Sequence, residues 1–321
     1  MFYYFVWVRS NRYHGQEGLT YSSTIKLVPG NIVDVELQRQ TVMAVVVGAT
    51  SKPRFKTKPV SRVYDLPPLP AHLLKAGEWL KQYYPAPVGV ISQQLLPASL
   101  SEKQLSAEPL MKFPTPDIAH LPKLTAEQTK ALADMQKRDT YILHGITGSG
   151  KTRLYIELTL EAVAGGRSAI ILTPEISLTT QLADSFRAVF GERVIVMHSG
   201  QAPSERQKAW LDCLRSEEPV IVVGPRSALF SPIQKPGLIV IDESHETAYK
   251  QEQSPQYQTG RIASYLAQIT PSRLILGSAT PSVSDYYLAQ AKSKPIIELT
   301  QLANLKEQPA TEVVLVDRKE H

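Results

Sequence analysis

Cysteine and long apolar runs are almost absent from this sequence. A single cysteine, Cys213, stands among 321 residues, so neither a disulfide framework nor a cysteine-based zinc cluster can form within the chain. No apolar stretch approaches the roughly 20 residues that a membrane-spanning helix needs. The aromatic N-terminal stretch lacks the basic residues and the small-residue cleavage site of a signal peptide. These absences predict a cytoplasmic protein with no membrane partner.

Excess positive charge is confined to the first fifth of the chain. Residues 1–64 hold nine lysines and arginines against three acidic residues, whereas the two charges balance within one unit in the remainder. Part of the excess lies in residues 51–62, where Arg54, Lys56 and Lys58 surround Phe55. A basic cluster with an aromatic ring suits a nucleic-acid backbone with a stacked base. A solvated linker remains the alternative for this stretch.

The pattern before residue 124 indicates two small domains. Residues 1–64 contain short alternating strands with a hairpin that turns at 38–40, which predicts a β-rich DNA-binding domain. Residues 65–123 are rich in proline and contain an amphipathic helix over 71–84. A winged-helix-like domain followed by a linker is expected there.

From Leu124 onward, continuous apolar strands alternate with helices. Continuous rather than alternating apolar strands are typical of a parallel sheet covered on both faces. Residues 124–300 are therefore predicted to form one α/β lobe of the RecA-like type, and residues 301–321 to begin the connection to a second lobe.

A phosphate-binding loop joins the first strand of this lobe to the following helix. Gly145, Gly150, Lys151 and Thr152 satisfy the pattern G-x-x-x-x-G-K-[ST]. Backbone N–H groups of such a loop surround the phosphates of ATP, the lysine meets the β- and γ-phosphates, and the threonine hydroxyl coordinates Mg²⁺. The predicted ATP-binding residues here are Gly145, Thr147, Gly148, Ser149, Gly150, Lys151 and Thr152.

An acidic pair follows a later apolar strand of the lobe. Asp242 and Glu243 stand at the carboxyl end of this strand, where ligands bind in open α/β sheets. Asp242 is predicted to hold Mg²⁺ with Thr152, and Glu243 to polarise the attacking water as general base. Lys151 and Glu243 are therefore the catalytic candidates.

The pattern D-E-x-H after a phosphate-binding loop, followed by S-A-T at 278–280, resembles superfamily 2 helicases and translocases. This resemblance implies that Gln128 reads adenine. It also implies that His245, Ser278 and Thr280 couple the nucleotide site to DNA.

The segments HGITGSGKT, LTPEISLT, HSG, GPRSALFSP and DESHETAYKQ together are similar to the replication-restart helicases of the bacterial primosome. The resemblance implies an ATP-dependent 3′ to 5′ DNA helicase that recognises stalled forks and the 3′ end of a nascent strand. Primosome proteins and single-strand-binding protein are the implied partners. The DNA-binding candidates are Tyr21, Gly30, Arg39, Arg54, Lys56, Lys58, Arg226, Tyr249, Lys250 and Tyr257.

The sequence departs from this family's pattern in several places. Ser22 stands where an aspartate often contacts the 3′-terminal hydroxyl, and Gln38 begins a turn that usually contains glycine. Only 41 residues follow Thr280, too few for the second lobe and its arginine finger. The family's zinc module is likewise expected only outside this chain. Weak hydrolysis by this chain is the expectation.

Three other functions were compatible with parts of the pattern. A motor subunit of a restriction or remodelling translocase shares D-E-x-H and S-A-T, but GPRSALFSP and the basic N-terminal domain argue against it. A fork-binding module that does not hydrolyse ATP remains open. If the chain were a small-molecule kinase, the segments that resemble DNA-contacting motifs would have no purpose.

Overall fold

The computed structural model describes residues 1–108, 113–137 and 139–303. Its first region is a closed five-stranded barrel in the order β1-β2-β5-β3-β4, in which β2 and β5 pair in parallel and the other neighbours pair antiparallel. The strands are β1 Phe2–Val8, β2 Leu19–Ser23, β3 Ile32–Leu37, β4 Gln40–Thr50 and β5 Lys58–Val63. Alternate residues such as Tyr4, Val6 and Val8 fill the interior.

The β3–β4 hairpin turns at Gln38 and Arg39, as the alternating pattern predicted. Leu37 pairs with Gln40, so these two residues form the whole loop. Their φ values of 47° and 69° are left-handed, as a type I′ turn requires. The turn therefore forms without the glycine that usually relieves this conformation.

Three helices follow the barrel: α1 Ala71–Tyr83, α2 Val88–Leu95 and α3 Glu102–Leu105. The Ser92 hydroxyl of α2 donates to the carbonyl oxygen of Val8, 2.8 Å away, and Trp7 of β1 packs in the same apolar core as both longer helices. The described part of 65–123 contains no strand, so the expectation of a winged helix is wrong there. Because α1 and α2 pack against the barrel, they extend the N-terminal domain.

The second region is a seven-stranded, entirely parallel sheet in the order β14-β6-β13-β10-β7-β9-β8. Its strands are β6 Thr140–Gly145, β7 Ser168–Leu172, β8 Val194–Val196, β9 Ile221–Gly224, β10 Pro236–Ile241, β13 Arg273–Ser278 and β14 Ile296–Leu299. A two-stranded hairpin, β11 Lys250–Gln251 and β12 Tyr257–Gln258, stands apart from it. The predicted parallel sheet is confirmed.

Helices cover both faces of this sheet. They are α4 Ala126–Asp134, α5 Lys151–Ala164, α6 Ile176–Phe190, α7 Pro203–Arg215, α8 Thr259–Ile269 and α9 Val283–Ala291. Successive residues of β7 alternate between the two cores, because Ile170 packs with α7 and α8 whereas Ile171 packs with α5 and α6. In the described part of the chain, no helix is long and apolar enough to span a bilayer.

The N-terminal domain docks on the α7 and α8 side of the lobe. The Trp210 indole donates to the carbonyl oxygen of Leu95, and Trp79 of α1 stacks on Tyr265 of α8 with ring centroids 5.1 Å apart. The two regions share one continuous apolar core. The predicted connection over 301–321 lies mostly outside the described residues.

Candidate functional site

The phosphate-binding loop runs from the end of β6 to the start of α5. Gly148 and Gly150 both have φ near 81°, which side chains rarely adopt, and a β-carbon on Gly150 would overlap the Gln128 amide. Gly145 is the last residue of β6, and Thr147 and the remaining loop residues lie between the two elements, at the carboxyl edge of the sheet. The first turn of α5 points its N–H groups toward the same edge.

Two buried polar groups at this loop, the Lys151 ammonium and the Ser149 hydroxyl, are suited to bind a phosphate. The Lys151 ammonium donates to the carbonyl oxygen of Gly145, 2.8 Å away, and lies 3.6 Å from Glu243. The Ser149 hydroxyl is buried and has no hydrogen-bond partner among the described residues. A buried orphan hydroxyl is rare and points to a missing ligand. The loop, with Thr152 beginning α5, therefore fits a nucleoside triphosphate.

Gln128 reaches this loop from α4. It forms a reciprocal capping box with Thr125, and its amide nitrogen donates to the carbonyl oxygen of Ser149, 3.1 Å away. The side chain is buried. This location beside the loop is compatible with the adenine-reading role that the resemblance implies.

Asp242 lies directly after β10, at the same edge as the phosphate-binding loop. Its Oδ1 accepts a hydrogen bond from the Tyr155 hydroxyl at 2.9 Å, and its carbonyl oxygen accepts one from Tyr249 at 2.5 Å. Burial raises the pKa of the Asp242 carboxyl, and the Tyr155 hydrogen bond partly opposes this shift. Asp242 and Thr152 offer the oxygen ligands that Mg²⁺ prefers.

Protein groups alone do not form a metal cage in this lobe. Across residues 1–108, 113–137 and 139–303, no three His, Cys, Asp or Glu side chains are arranged to hold a metal ion. Mg²⁺ commonly binds through one or two protein ligands together with substrate phosphates. The donor set is therefore suited to a metal that arrives with its nucleotide.

Glu243 faces Lys151 on one side and the S-A-T loop on the other. Its φ of 45° is left-handed, which is unusual for glutamate and locates local strain at the proposed base. One carboxylate oxygen lies 3.6 Å from the Lys151 ammonium, and the other lies 3.5 Å from the backbone nitrogen of Ala279.

His245, Ser278 and Thr280 form a connected group behind the acidic pair. The His245 Nδ1 lies 2.7 Å from the Ser278 hydroxyl, which also accepts from the Thr280 backbone N–H at 2.9 Å. The Ser244 N–H donates to the carbonyl oxygen of Gly277. The D-E-S-H turn and the S-A-T loop therefore meet through hydrogen bonds, as a coupling role would require.

Two tyrosines predicted to stack on bases are core residues. Tyr249 is 4% exposed and bonds to Asp242, while Tyr257 is 2% exposed and packs edge-on against Phe230. The stacking prediction is wrong for both because their rings are committed to the interior. Lys250 is exposed between them. Arg226 is half-buried and donates to the carbonyl oxygen of Ala248 and to the Gln251 side chain, which supports this hairpin.

The DNA-binding candidates of the N-terminal domain are also partly buried and partly exposed. The Tyr21 side chain is buried in the barrel and donates to the carbonyl oxygen of Glu36, and its contact with a 3′ end stays a prediction. Gly30 is buried, and a β-carbon there would lie 2.5 Å from the carbonyl oxygen of Leu69, so no side chain fits at this position and its DNA contact stays a prediction. The candidates that remain on the surface are Arg39, Arg54, Lys56 and Lys58.

Sequence reasoning missed two features of the site. Tyr155 occupies an ordinary apolar position of α5, and nothing in its spacing indicates the bond to Asp242. The segment after β14 crosses the phosphate-binding loop, where the Glu127 carboxylate accepts from Thr300 and Gln301 and the Ala303 N–H donates to Gly148. A glutamate beside Gln128 carried no signal for this contact.

Comparison with known proteins supplies two family matches. A model of the DEAD/DEAH box helicase family matches residues 125–288, and a model of the 3′ DNA-binding domain (3′BD) matches residues 12–97. The second range includes α1 and α2, in agreement with their packing on the barrel.

Known proteins are similar in sequence to much of this chain. Replication restart protein PriA of Helicobacter pylori J99 is 35% identical over 301 residues, which cover 93% of this chain and 46% of that protein. Replication restart protein PriA of Bacillus subtilis 168 is 40% identical over 194 residues, covering 60% of this chain and 24% of that protein. The helicase domain of Pyrococcus furiosus Hef matches with a TM-score of 0.43 and 22% identity, over 56% of this chain and 38% of that one. The chain thus spans about half the length of the Helicobacter relative.

Proposed function

The chain belongs to the DEAD/DEAH box helicase family and is homologous to replication restart protein PriA, and we propose that it is the DNA-binding region and first motor lobe of an ATP-driven DNA helicase acting at stalled replication forks. The proposed direction of movement is 3′ to 5′. Primosome assembly, with primosome proteins and single-strand-binding protein as partners, is the proposed purpose in the cytoplasm.

One observation carries this proposal. The phosphate-binding loop, the acidic pair and the S-A-T loop meet at one edge of a parallel sheet, and a hydrogen bond between His245 and Ser278 joins the last two. A small-molecule kinase needs no such connection to a second loop. The match of residues 12–97 to a 3′ DNA-binding domain supports a DNA substrate rather than another one.

The proposed chemistry assigns a role to each residue at this edge. Lys151 exchanges its bonds to Gly145 and Glu243 for the β- and γ-phosphates of ATP. Released from Lys151, Glu243 accepts the proton of the attacking water. Asp242 and Thr152 would hold Mg²⁺, and the bound ion would supply positive charge against the phosphates.

We further propose that this chain hydrolyses ATP slowly on its own. The described residues form one RecA-like lobe, so no arginine from a second lobe reaches the γ-phosphate side within them. An arginine finger is worth about 10³–10⁵ in rate in other phosphoryl-transfer enzymes. Binding of ATP and forked DNA does not need that arginine and should be retained.

Fork recognition is tested by affinity measurements at one fixed salt concentration. The substrates are a fork with a 3′-hydroxyl at the branch point, the same fork ending in a 3′-phosphate, a plain duplex and a single strand. We expect the 3′-hydroxyl fork to bind tightest. Equal affinity for the two forks would contradict 3′-end recognition, and rapid strand separation by this chain would contradict slow hydrolysis.

A further inference from the structure

Tyr155 crosses from the phosphate-binding helix to the metal-ligand candidate. It lies one turn after Lys151 on α5 and is fully buried. Its hydroxyl donates to Asp242 Oδ1 at 2.9 Å. This is a direct bond between the helix that begins at the loop lysine and the carboxylate that follows β10.

A matching gap in the neighbouring strand makes room for this hydroxyl. Gly277 belongs to β13, which lies beside β10, and a β-carbon at position 277 would overlap the Tyr155 hydroxyl. Glycine at this position therefore allows the phenol to reach Asp242. The contact therefore requires both the tyrosine on α5 and the glycine on β13.

The Tyr155 phenol is suited to act only as a donor here. The pair has the phenol O–H as its donor and Asp242 Oδ1 as its acceptor. The Asp242 backbone is fixed separately, because its N–H donates to the carbonyl oxygen of Leu172 and its carbonyl accepts from Tyr249. The phenol thus restricts the rotation of the carboxylate, together with the Glu243 backbone N–H that also bonds to it.

We propose that Tyr155 is a positioning residue that holds the Asp242 carboxylate with one oxygen bound to the phenol and the other facing the Mg²⁺ of a bound nucleotide. A carboxylate whose orientation is fixed by a hydrogen-bond partner binds a metal ion more tightly than one that rotates freely. Because Lys151, Thr152 and Tyr155 share α5, the phosphate contacts and the metal ligand are then held as one unit. This inference rests on the proposed nucleotide-binding function.

The test is Tyr155→Phe, which keeps the ring and removes the hydroxyl. Tyr141→Phe is the matched control, because Tyr141 is equally buried in the lobe but its hydroxyl donates to the carbonyl oxygen of Lys137. A fluorescent, non-hydrolysable ATP analogue is titrated at a series of MgCl₂ concentrations and in EDTA. The readout is binding, so it does not depend on hydrolysis.

For Tyr155→Phe we expect the Mg²⁺ concentration for half-maximal tight binding to rise about tenfold, the effect typical of losing a second ligand partner. Affinity in EDTA should stay unchanged, and Tyr141→Phe should match the parent chain in both conditions. A Mg²⁺ dependence identical to that of Tyr141→Phe would overturn the proposal, as would an equal loss of affinity with and without Mg²⁺.

A second variant tests the same contact from the opposite side. Gly277→Ala leaves the phenol present but displaces it from Asp242. It should reproduce the Mg²⁺ shift of Tyr155→Phe, and an unchanged Mg²⁺ dependence in a folded Gly277→Ala chain would also contradict the proposal. If the parent chain binds no nucleotide, the proposed function itself fails. If the parent binds with Mg²⁺ and both variants match it, only the role of Tyr155 fails.

Discussion

The Lys151 ammonium donates a hydrogen bond to the carbonyl oxygen of Gly145, 2.8 Å away, within its own loop. The same ammonium lies 3.6 Å from the Glu243 carboxylate. The lysine that should meet phosphates and the glutamate that should activate water are therefore paired with each other. Nucleotide binding must break this pair, and this links the entry of the substrate to the release of the base.

Glu243→Gln should separate binding from hydrolysis. Removing the carboxylate charge frees Lys151 for phosphate, so we expect affinity for ATP to stay equal or to rise by a few fold. Hydrolysis should fall by about 10²–10⁴, the usual contribution of a general base. Nucleotide titration and single-turnover hydrolysis measure the two effects. Glu246→Gln, on the exposed neighbour, should change neither, and a loss of affinity in Glu243→Gln would contradict the pairing.

His245→Ala should weaken the communication between nucleotide and DNA. It removes the bond to Ser278, which is one of the links between the D-E-S-H turn and the S-A-T loop. Coupling energies between sites are about 1–3 kcal/mol, so the change in fork affinity caused by a non-hydrolysable ATP analogue should shrink several fold. Fluorescence anisotropy with and without the analogue measures it.

Ser278→Ala removes the same bond from its other end and should behave alike. Ser244→Ala serves as the control in the same turn. Should His245→Ala lower both separate affinities and leave their coupling intact, the role of the bond in communication would be rejected.

The exposed basic segment should account for part of the salt dependence of DNA binding. Arg54 and Lys56 are exposed beside Phe55, whose ring is 63% exposed. Replacing both cations with alanine should reduce the slope of log affinity against log salt by about 1.4, if each meets one phosphate of a single strand. Phe55→Ala should cost about 1–3 kcal/mol if a base stacks on the ring. Lys208→Ala, an exposed lysine of the motor lobe, is the control, and an unchanged slope would assign the segment to a solvated linker.

His72 should make the stability of the chain depend on pH below neutrality. Burial lowers the pKa of His72 from its ordinary value of 6.5 to about 4 in the folded state. Between these values the unfolded chain binds a proton that the folded chain does not, so stability falls as pH falls through this window. His72→Asn should lose less stability between pH 7 and pH 5 in urea unfolding. His120→Asn, at an exposed position, should follow the parent chain, and parallel curves for all three would reject the assignment.

The motor lobe was predictable because its pattern is local and repetitive. The apolar run 140–145 coincides with β6, and the helical periodicity over 176–190 coincides with α6. The phosphate-binding loop was equally clear, since glycine, lysine and threonine at fixed spacing have few other uses. The hairpin at Gln38 and Arg39 was visible from alternation alone, although its left-handed turn lacks glycine.

Tertiary packing decided the features that were predicted wrongly or missed. Tyr249 and Tyr257 lie in a polar stretch that indicates an exposed loop, but both rings turn inward toward Asp242 and Phe230. A helix over 71–84 was predicted and is observed over 71–83, yet its periodicity gave no information on whether it packs on the barrel or forms a domain of its own. Tyr155 was missed for the same reason. Helical periodicity identifies a buried position, but it does not tell whether a hydroxyl at that position forms a hydrogen bond.

The most direct test of the account is ATP binding and steady-state turnover by this chain, with and without forked DNA, beside Lys151→Ala. We expect the parent chain to bind both ligands and to hydrolyse slowly, and Lys151→Ala to lose nucleotide affinity while it keeps fork affinity. Nucleotide binding that survives Lys151→Ala would contradict the assignment of the site. Rapid DNA-stimulated turnover that Lys151→Ala abolishes would keep the site but contradict the need for a second lobe.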